Sequence, residues 1–562
     1  MKRFFLLLAV AVCVSCRTQE PAVPAYTNPV LHLDYSDPDV CRVGDSYYMT
    51  ASSFNCFPGL PVLESKDLVH WELVGYALND YAEEFRGAVR HGEGVWAPSI
   101  RYHDGWFYIF VGDPDRGIFQ VRSRSAEGPW DKPVWVVREK GFIDPCPLWD
   151  SSGNAWLSHG CAGSRAGLKS VLFVAPMAPD GSSLLGPSRI VYDGHFTQPT
   201  IEGTKFYERS GWYYIFAPAG GVATGWQTVL RSRSVWGPYE ERVVMAWAPG
   251  TVNGPHQGGW VTAPDGSDWF LHFQDKGAYG RVVHLQPMRW LSDGWPLIGE
   301  DPDGDGVGQP VSSWDSSGLS LSTSVAGVTQ KAPKTRNASD YGLGLEWQYP
   351  AVPLPYYHMA LPDGGVRLYS VLQDKPGLWF CPNLLQQKFP AESFTVSARL
   401  VFRPNPSLPA GSESAGFVVM GESYAGFKLV SRGDSAQLQF VSCPDASKSS
   451  PETVLPLATV PGVPKAVDHR HESRNVPAVS YPDYQESSVW VKLEVLPDAL
   501  CQFSWSLDGE SFTPVPTVFT AVPGRWIGAQ FGFFCNRHTP KNDAGSLDVL
   551  DLKVMPSATS AL

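Results

Sequence analysis

One short pattern recurs five times in the first three hundred residues, and it constrains the fold more than any other feature of this chain. In each copy a short opening segment, which starts with an acidic residue in three of the five, leads into a strand, a polar turn follows, and an aromatic-rich strand comes next. The copies begin at Asp37, Trp96, Asp144, Glu202 and His256. A spacing of about 50 to 60 residues suits one four-stranded blade with variable loops. The repeat therefore predicts an all-β fold that begins with a five-bladed β-propeller.

Turn signals inside the copies support this interpretation. Short polar turns separate the first two strands of every copy, namely Val43-Gly-Asp, His103-Asp-Gly, Ser151-Ser-Gly, Arg209-Ser-Gly and Asp265-Gly-Ser. Such glycine-containing turns are typical of β-hairpins. The composition agrees, since 54 glycines, 49 prolines and 13% aromatic residues indicate a turn-rich all-β protein.

The blade pattern stops near residue 312, and a different alternation of strands begins after residue 338. Segments such as Ser488-Val-Trp-Val-Lys-Leu-Glu-Val predict a concanavalin- or jelly-roll-like β-sandwich. We therefore expect a lipoprotein-type signal peptide (1–16), a tether (17–26), the propeller (27–312), a linker (313–338) and the sandwich (339–562).

The amino terminus predicts export. Lys2 and Arg3 precede an apolar run that is too short to span a bilayer as a mature helix. Ser15-Cys16 resembles the end of a bacterial lipoprotein signal, after which Cys16 would be the lipidated first residue. Ordinary cleavage nearby, which gives a free soluble protein, is the alternative. We expect a periplasmic or outer-membrane lipoprotein of a Gram-negative bacterium, which touches the membrane only through its lipid.

Charge and cysteine spacing exclude two classes of partner. The net charge is −12 and no dense run of Lys or Arg exists, so nucleic acid is not an expected partner and a neutral substrate fits better. The cysteines that follow Cys16 form no Cys-x-x-Cys pair, so a zinc site is not expected.

Three carboxylates carry the candidate chemistry. Asp37, Asp144 and Glu202 open equivalent strands, and the first residues of the innermost strands converge on the axis of a propeller. Cleavage of an acetal needs one group that protonates the leaving oxygen and one that activates water, and two carboxyls in different environments supply both. A single Asp-Pro pair more often caps a turn or a strand. Three such residues at one repeat position predict a site that hydrolyses glycosidic bonds.

The motifs around these residues resemble those of glycoside hydrolase family 43. The opening motif of that family is similar to Tyr35-Ser-Asp-Pro-Asp-Val, and its later landmarks are similar to Trp96-Ala-Pro, Ile143-Asp-Pro, Ile201-Glu-Gly and Gly280-Arg. The resemblance spans the whole propeller. Gly342-Leu-Gly-Leu-Glu-Trp-Gln-Tyr-Pro extends it to the sandwich of β-xylosidase-like members, which packs on the propeller and lends one loop to the pocket rim. Here Gln348-Tyr-Pro departs from the family pattern.

The resemblance implies a role for each site residue. Asp37 would be the general base of an inverting reaction, Glu202 the general acid, and Asp144 the residue that holds Glu202 and keeps its pKa raised. The two carboxyls of an inverting pair stand about 6.5–9.5 Å apart, which leaves room for the attacking water. Arg281 would bind a sugar hydroxyl, and Phe54 and Trp96 would form the pocket walls.

The resemblance also places His256 near the axis, where a structural calcium or an ordered water is expected. A satisfied buried polar residue is the alternative for His256, and the chemistry itself requires no cofactor.

The expected function is therefore exo-acting release of a terminal pentose from plant hemicellulose or pectin. The family serves both α-L-arabinofuranose and β-D-xylose, and Asn55-Cys-Phe beside Phe54 alters the rim without indicating which sugar binds. A non-catalytic glycan-binding surface lipoprotein is the rival interpretation. Loss of any of the three carboxylates would favour it, and all three are present.

Overall fold

The computed structural model describes residues 23–247, 254–315, 334–335, 342–362, 364–433, 435–461 and 488–557. It confirms the predicted fold class, because five blades of β-sheet are followed by a two-sheet sandwich and helical structure is almost absent from these residues. The predicted signal peptide and Cys16 lie outside the described residues. Across the described part of the chain, no helix has the length and apolar character needed to cross a membrane.

Each blade is an antiparallel sheet of four strands that follow one another along the chain. Blade 1 is β2 to β5 (Asp39–Val43, Ser46–Thr50, Gly59–Ser65, Trp71–Leu78) and blade 2 is β6 to β9 (Trp96–His103, Trp106–Asp113, Gly117–Ser123, Val134–Val137). Blade 3 is β10 to β13 (Phe142–Trp149, Ala155–Cys161, Val171–Met177, Arg189–Asp193). Blade 4 is β14 to β17 (Lys205–Arg209, Trp212–Ala219, Trp226–Ser232, Glu240–Ala246) and blade 5 is β18 to β21 (His256–Thr262, Asp268–Asp275, Arg281–Trp290, Pro296–Ile298).

The five predicted hairpin turns explain why each inner strand doubles back so tightly. A glycine in every one of them has a positive φ of +61° to +86°; these glycines are Gly44, Gly105, Gly153, Gly211 and Gly266. A residue with a Cβ is strained in this region of backbone space, whereas glycine enters it freely. The turn glycines therefore set the blade repeat at the level of sequence.

The two ends of the propeller meet and close the ring. β1 (Tyr26–Thr27) pairs with β22 (Ser313–Trp314), and Leu31 forms a further bridge with Val283 of blade 5. The predicted boundaries place Tyr26 in the tether and Trp314 in the linker, but both pack in the propeller core. The physical reason is that a ring of blades exposes open edges unless its ends pair.

The Asn28 side chain hydrogen-bonds the first propeller segment to the last blade, and its loss should destabilise the protein. Its amide nitrogen donates to the carbonyls of Leu285 and Val311 at 2.8 and 2.9 Å, and its oxygen accepts from the Leu285 N–H at 2.9 Å. We expect Asn28→Ala to lower the free energy of unfolding by about 2–4 kcal/mol, because partly buried backbone groups lose their partners. Calorimetric unfolding measures the change. Exposed Asn542→Ala is the control, and an equal effect of the two substitutions would contradict the prediction.

The carboxy-terminal domain is a sandwich of two sheets. One sheet contains β24 (His358–Ala360), β25 (Val366–Tyr369), β28 (Phe394–Arg403), β33 (Ser488–Leu496), β34 (Leu500–Ser506), β35 (Thr513–Pro514), β36 (Phe519–Thr520) and β38 (Ser546–Pro556). The other contains β26 (Val371–Leu372), β27 (Leu385–Lys388), β29 (Glu413–Met420), β30 (Tyr424–Ser431), β31 (Ser435–Cys443), β32 (Thr453–Pro461) and β37 (Gln530–Arg537). β23 (Lys334–Thr335) adds to blade 1.

Short helical turns complete the described structure. They are α1 (Gly163–Ala166) and the 3-10 turns Glu83–Phe85, Gly277–Tyr279, Leu378–Phe380 and Pro497–Ala499. Seven of the eight cysteines that follow the signal are buried, and none of the eight forms a disulfide within the described residues.

The two domains share one hydrophobic core rather than a thin contact. Ala278, Tyr279 and Val282 of blade 5 belong to the same buried cluster as the inner face of the sandwich. The backbone of Tyr349 pairs with that of Phe57 in blade 1 through N–O distances of 2.7 and 2.8 Å. The sandwich is therefore positioned rigidly against blades 1 and 5.

Candidate active site

A backbone kink repeats where the inner strands approach the axis. One residue at each kink has a positive φ: Asp37 (+54°), Ala97 (+38°), Asp144 (+57°), Gly203 (+65°) and Gln257 (+35°). Glu202 therefore comes one residue before the kink, at the position that Trp96 and His256 occupy in their blades. The sequence repeat had placed all three carboxylates at one position, and the structure shifts Glu202 by one.

The shift gives the carboxylates different surroundings. Asp37 and Asp144, at the kinks, are only 4% and 2% exposed, whereas the Glu202 side chain is 35% exposed. A shift of one residue along a strand normally turns a side chain to the opposite face. The left-handed residue at the kink breaks that alternation, so Glu202 still lies near Asp144 and Asp37.

Asp37 is held as a hydrogen-bond acceptor. One of its oxygens accepts from the hydroxyls of Ser36 and Ser52 at 2.8 and 2.6 Å. The other faces the Arg281 guanidinium at 3.4 Å, and that guanidinium also donates to Ser36 at 2.6 Å. The Ala97 N–H fixes the Ser52 hydroxyl at 2.7 Å. These donors fix the position of the Asp37 carboxylate.

Asp144 is tied to the backbone that carries Glu202. Its carboxylate accepts from the Gly203 N–H at 2.7 Å, and its carbonyl accepts from the Thr204 hydroxyl at 2.8 Å. Burial raises the pKa of Asp144 to about 7, although the Gly203 N–H acts in the opposite direction. Asp144 thus both positions Glu202 and places a carboxyl beside it.

Glu202 has a raised carboxyl pKa although part of its side chain is exposed. Burial raises the pKa of Glu202 to about 8, and the neighbouring Asp144 and Asp37 act in the same direction. Arg281 acts in the opposite direction. Like charges this close resist simultaneous ionisation, so the neighbouring carboxyls favour a protonated Glu202.

His256 lies beside Glu202 without a hydrogen bond to it. Its Nε2 atom is 3.8 Å from a Glu202 oxygen, and neither ring nitrogen has a hydrogen-bond partner among the described residues. Burial lowers the pKa of His256 to about 4, so the ring is neutral at ordinary pH.

A structural calcium or an ordered water beside His256 stays a prediction. Calcium takes about six to eight oxygen ligands, and one Glu202 oxygen faces the imidazole at 3.8 Å. In the described chain, the acidic groups close enough to share an ion are Asp301, Asp303 and Asp305 on a loop that follows blade 5.

The remaining predicted site residues lie around the carboxylates. The rings of Phe54 and Trp96 meet edge to face, with centroids 6.4 Å apart. The Arg281 guanidinium carbon lies 6.0 Å from the centre of the Phe54 ring and 4.9 Å from that of Phe273. These contacts bring together three residues that lie far apart in the chain, and their roles as pocket walls and sugar ligand stay predictions.

Two residues of this site escaped the sequence analysis. The indole ring of Trp526, in the sandwich, lies 5.7 Å from the Arg281 guanidinium carbon and is 42% exposed. Gln348-Tyr-Pro departs from the family pattern, and the loop of the sandwich that reaches Arg281 is a different one, which carries Trp526. Lys205 on β14 is fully buried and lowers the pKa of Asp144. An aromatic residue between glycines, as in Gly524-Arg-Trp-Ile-Gly, was the available signal for the loop.

Comparisons with known proteins agree with this geometry. The model of glycosyl hydrolases family 43 matches residues 26–296, and that of the β-xylosidase C-terminal concanavalin A-like domain matches residues 339–551. A putative β-xylosidase from Xylanibacter ruminicola is 36% identical over 514 residues, which cover 90% of this chain and 85% of the relative. The chain belongs to glycosyl hydrolase family 43.

Other family 43 proteins resemble it over most of its length. A non-reducing end α-L-arabinofuranosidase from Bacteroides ovatus is 29% identical over 455 residues, which cover 76% of this chain and 80% of that protein. The solved structure of a xylan β-1,4-xylosidase from Bacillus halodurans has the same fold, with a TM-score of 0.74 and 22% identity over 94% of this chain and 99% of that one. This family 43 chain is thus a glycosidase of the xylosidase/arabinofuranosidase type, as predicted. None of these relatives is named as a non-catalytic glycan-binding protein.

Proposed function

We propose that this glycosidase is an inverting, exo-acting enzyme that releases terminal α-L-arabinofuranose or β-D-xylose from plant hemicellulose or pectin. The observation that carries the proposal is the contrast between two carboxyls. Glu202 keeps its proton because burial raises its pKa to about 8, while Asp37 faces Arg281 and two serine hydroxyls. One site thus holds an acid and a base at the same pH.

In the proposed mechanism Asp37 removes a proton from water as the water oxygen bonds to the anomeric carbon. Glu202 transfers its proton to the glycosidic oxygen as the bond between that oxygen and the anomeric carbon breaks, so the sugar leaves with inverted configuration. Asp144 holds the backbone at Gly203, and Arg281 orients the sugar between Phe54 and Trp96.

Two observations support exo action on a pentose. The loop that carries Trp526 contacts Arg281 from the sandwich side, and a pocket closed on that side admits a chain end more readily than a chain interior. The relatives named above include a putative β-xylosidase and an α-L-arabinofuranosidase, so both pentoses are candidates.

The direct test uses the purified protein and two paired substrates, 4-nitrophenyl α-L-arabinofuranoside and 4-nitrophenyl β-D-xylopyranoside. We expect hydrolysis of at least one, and the ratio of kcat/KM values assigns the sugar. Proton NMR of the first product is expected to show the inverted anomer. Failure to cleave either substrate, or release of the retained anomer, would overturn the proposal.

The raised pKa of Glu202 predicts the alkaline side of the pH profile. Glu202 must be protonated to act as the acid, so kcat/KM is expected to fall as the pH rises through about 8. A plot of log kcat/KM from pH 5 to pH 10 measures the limb. A rate that stays level to pH 10 would exclude Glu202 as the acid.

We also propose that the enzyme is exported and lipidated at Cys16. The support is the sequence alone: a basic start, an apolar run and Ser15-Cys16. Fractionation of cells that produce the full chain tests it, with Cys16→Ala as the paired variant. Membrane association that is lost in the variant is expected, and equal soluble fractions would contradict lipidation.

A further inference from the structure

The loop that joins the sandwich to the active site is residues 524–529, which we call the rim loop. Trp526 in this loop lies 5.7 Å from the guanidinium carbon of Arg281. The rim loop is also fixed from below, because the Ala529 N–H donates to the carbonyl of Ala278 at 2.7 Å. The rim loop belongs to the sandwich and Arg281 to the propeller, so their relative position depends on contacts between the two domains.

Asp34 occupies the junction. Its two carboxylate oxygens accept from two different domains: one from the Arg281 N–H of the propeller and one from the Gly528 N–H of the sandwich, both at 2.9 Å. Asp34 is 6% exposed, and its carbonyl accepts from the Lys388 ammonium at 2.6 Å. Burial raises the pKa of Asp34, and Lys388 and the two N–H donors oppose that shift.

The backbone segments around Asp34 lie too close together to admit a further Cβ. A Cβ on Gly280 would lie 2.5 Å from the Asp34 carboxyl carbon, and a Cβ on Gly528 would lie 2.8 Å from the Gly280 nitrogen. Three backbone segments therefore meet on one carboxylate, and glycines permit the approach.

The segment of residues 34–37 contacts both the backbone and the side chain of Arg281. The Tyr35 N–H donates to the Arg281 carbonyl at 2.9 Å, while Ser36 and Asp37 bind its guanidinium. Asp34 thus fixes the backbone of Arg281. Asp37, the proposed base, lies three residues after Asp34 in the chain and faces the Arg281 side chain.

We propose that Asp34 is a positioning residue that couples the sandwich to catalysis, by holding the Arg281 backbone and the rim loop in one fixed arrangement. This inference rests on the role of Arg281 in the proposed function. Asparagine cannot replace the carboxylate, because its side-chain oxygen can serve one N–H while its amide group opposes the other. The sandwich is then part of the catalytic unit rather than an appended module.

The test is a double-mutant cycle with Asp34→Asn and Arg281→Met in the full-length enzyme. We expect Asp34→Asn to lower kcat about 100-fold, because displacement of a substrate-orienting group by about 1 Å costs this much. We expect the double variant to be no more than about threefold worse than Arg281→Met, because the two residues act as one unit. The alkaline limb of kcat/KM should move to higher pH in Asp34→Asn, because a displaced Arg281 no longer lowers the pKa of Glu202.

Asp548→Asn is the matched control. Asp548 is 3% exposed and bridges Arg367 and Arg403 in the sandwich, so its loss should lower the melting temperature without moving the alkaline limb. Asp34→Ser, whose hydroxyl can accept one N–H, replaces Asp34→Asn if that variant does not fold. Two results would overturn the role of Asp34 but not that of Arg281. One is a pair of losses that multiply independently in the cycle, and the other is a normal kcat in Asp34→Asn beside an impaired Arg281→Met. Normal rates in Arg281→Met would overturn the proposed role of Arg281 as well.

Discussion

Glu202→Gln is expected to lower kcat about 10³- to 10⁴-fold on glycosides with a sugar or alcohol leaving group, because the glutamine amide is not acidic enough to protonate the leaving oxygen. The same variant should retain most of its activity on 2,4-dinitrophenyl glycosides, whose leaving group departs without protonation. Glutamine preserves the size of the side chain. The measurement is kcat for wild type and variant on both kinds of substrate.

The control for this variant lies on the strand that follows Glu202. Glu208 accepts from the hydroxyl and N–H of Ser151 at the far end of β14, so Glu208→Gln should behave like wild type on every substrate. An equal loss on activated and unactivated substrates in Glu202→Gln would show that Glu202 does something other than protonate the leaving group.

Asp37→Asn is expected to lower kcat about 10⁴-fold for every leaving group, including 2,4-dinitrophenolate. The amide cannot accept a proton from water, and this step is needed whatever leaves. The single asparagine oxygen can still accept from Ser36 and Ser52, while its amide group takes the place of the oxygen that faces Arg281 at 3.4 Å. Steady-state rates on the two substrate classes provide the measurement.

Thermal unfolding and product binding serve as controls for Asp37→Asn. The melting temperature and the Kd for xylose or arabinose should stay close to those of wild type. If activity on the dinitrophenyl substrate survives in Asp37→Asn but not in Glu202→Gln, the acid and base roles are reversed.

The propeller repeat could be predicted from the sequence because its signals are local. Each inner hairpin needs a glycine at positive φ, and each buried strand needs aromatic and branched side chains, so both leave a mark at a fixed spacing. The sequence predicted the two ends of the propeller less accurately. Tyr26 and Trp314 pair across nearly the whole domain, and no local pattern reports such a contact.

The site was readable in part for the same reason. The carboxylates stand within repeated motifs, so their convergence at the axis followed from the fold class. Their separate roles did not, because the offset of Glu202 depends on the backbone kink at Gly203. The arginine that faces Asp37 was found only through resemblance, since more than two hundred residues separate the two.

By itself, then, the sequence determined the propeller, the sandwich and the three carboxylates, because turn glycines, strand alternation and motif residues act over a few positions. Only the tertiary structure decided how the surroundings of the three carboxyls differ, how Arg281 is held and which part of the sandwich reaches Arg281. Burial and charge at Glu202 depend on four chain segments, and the contacts of Asp34 with Arg281 and Gly528 join residues up to 494 positions apart. Such contacts are set by packing between domains, and packing leaves no periodic mark in the chain.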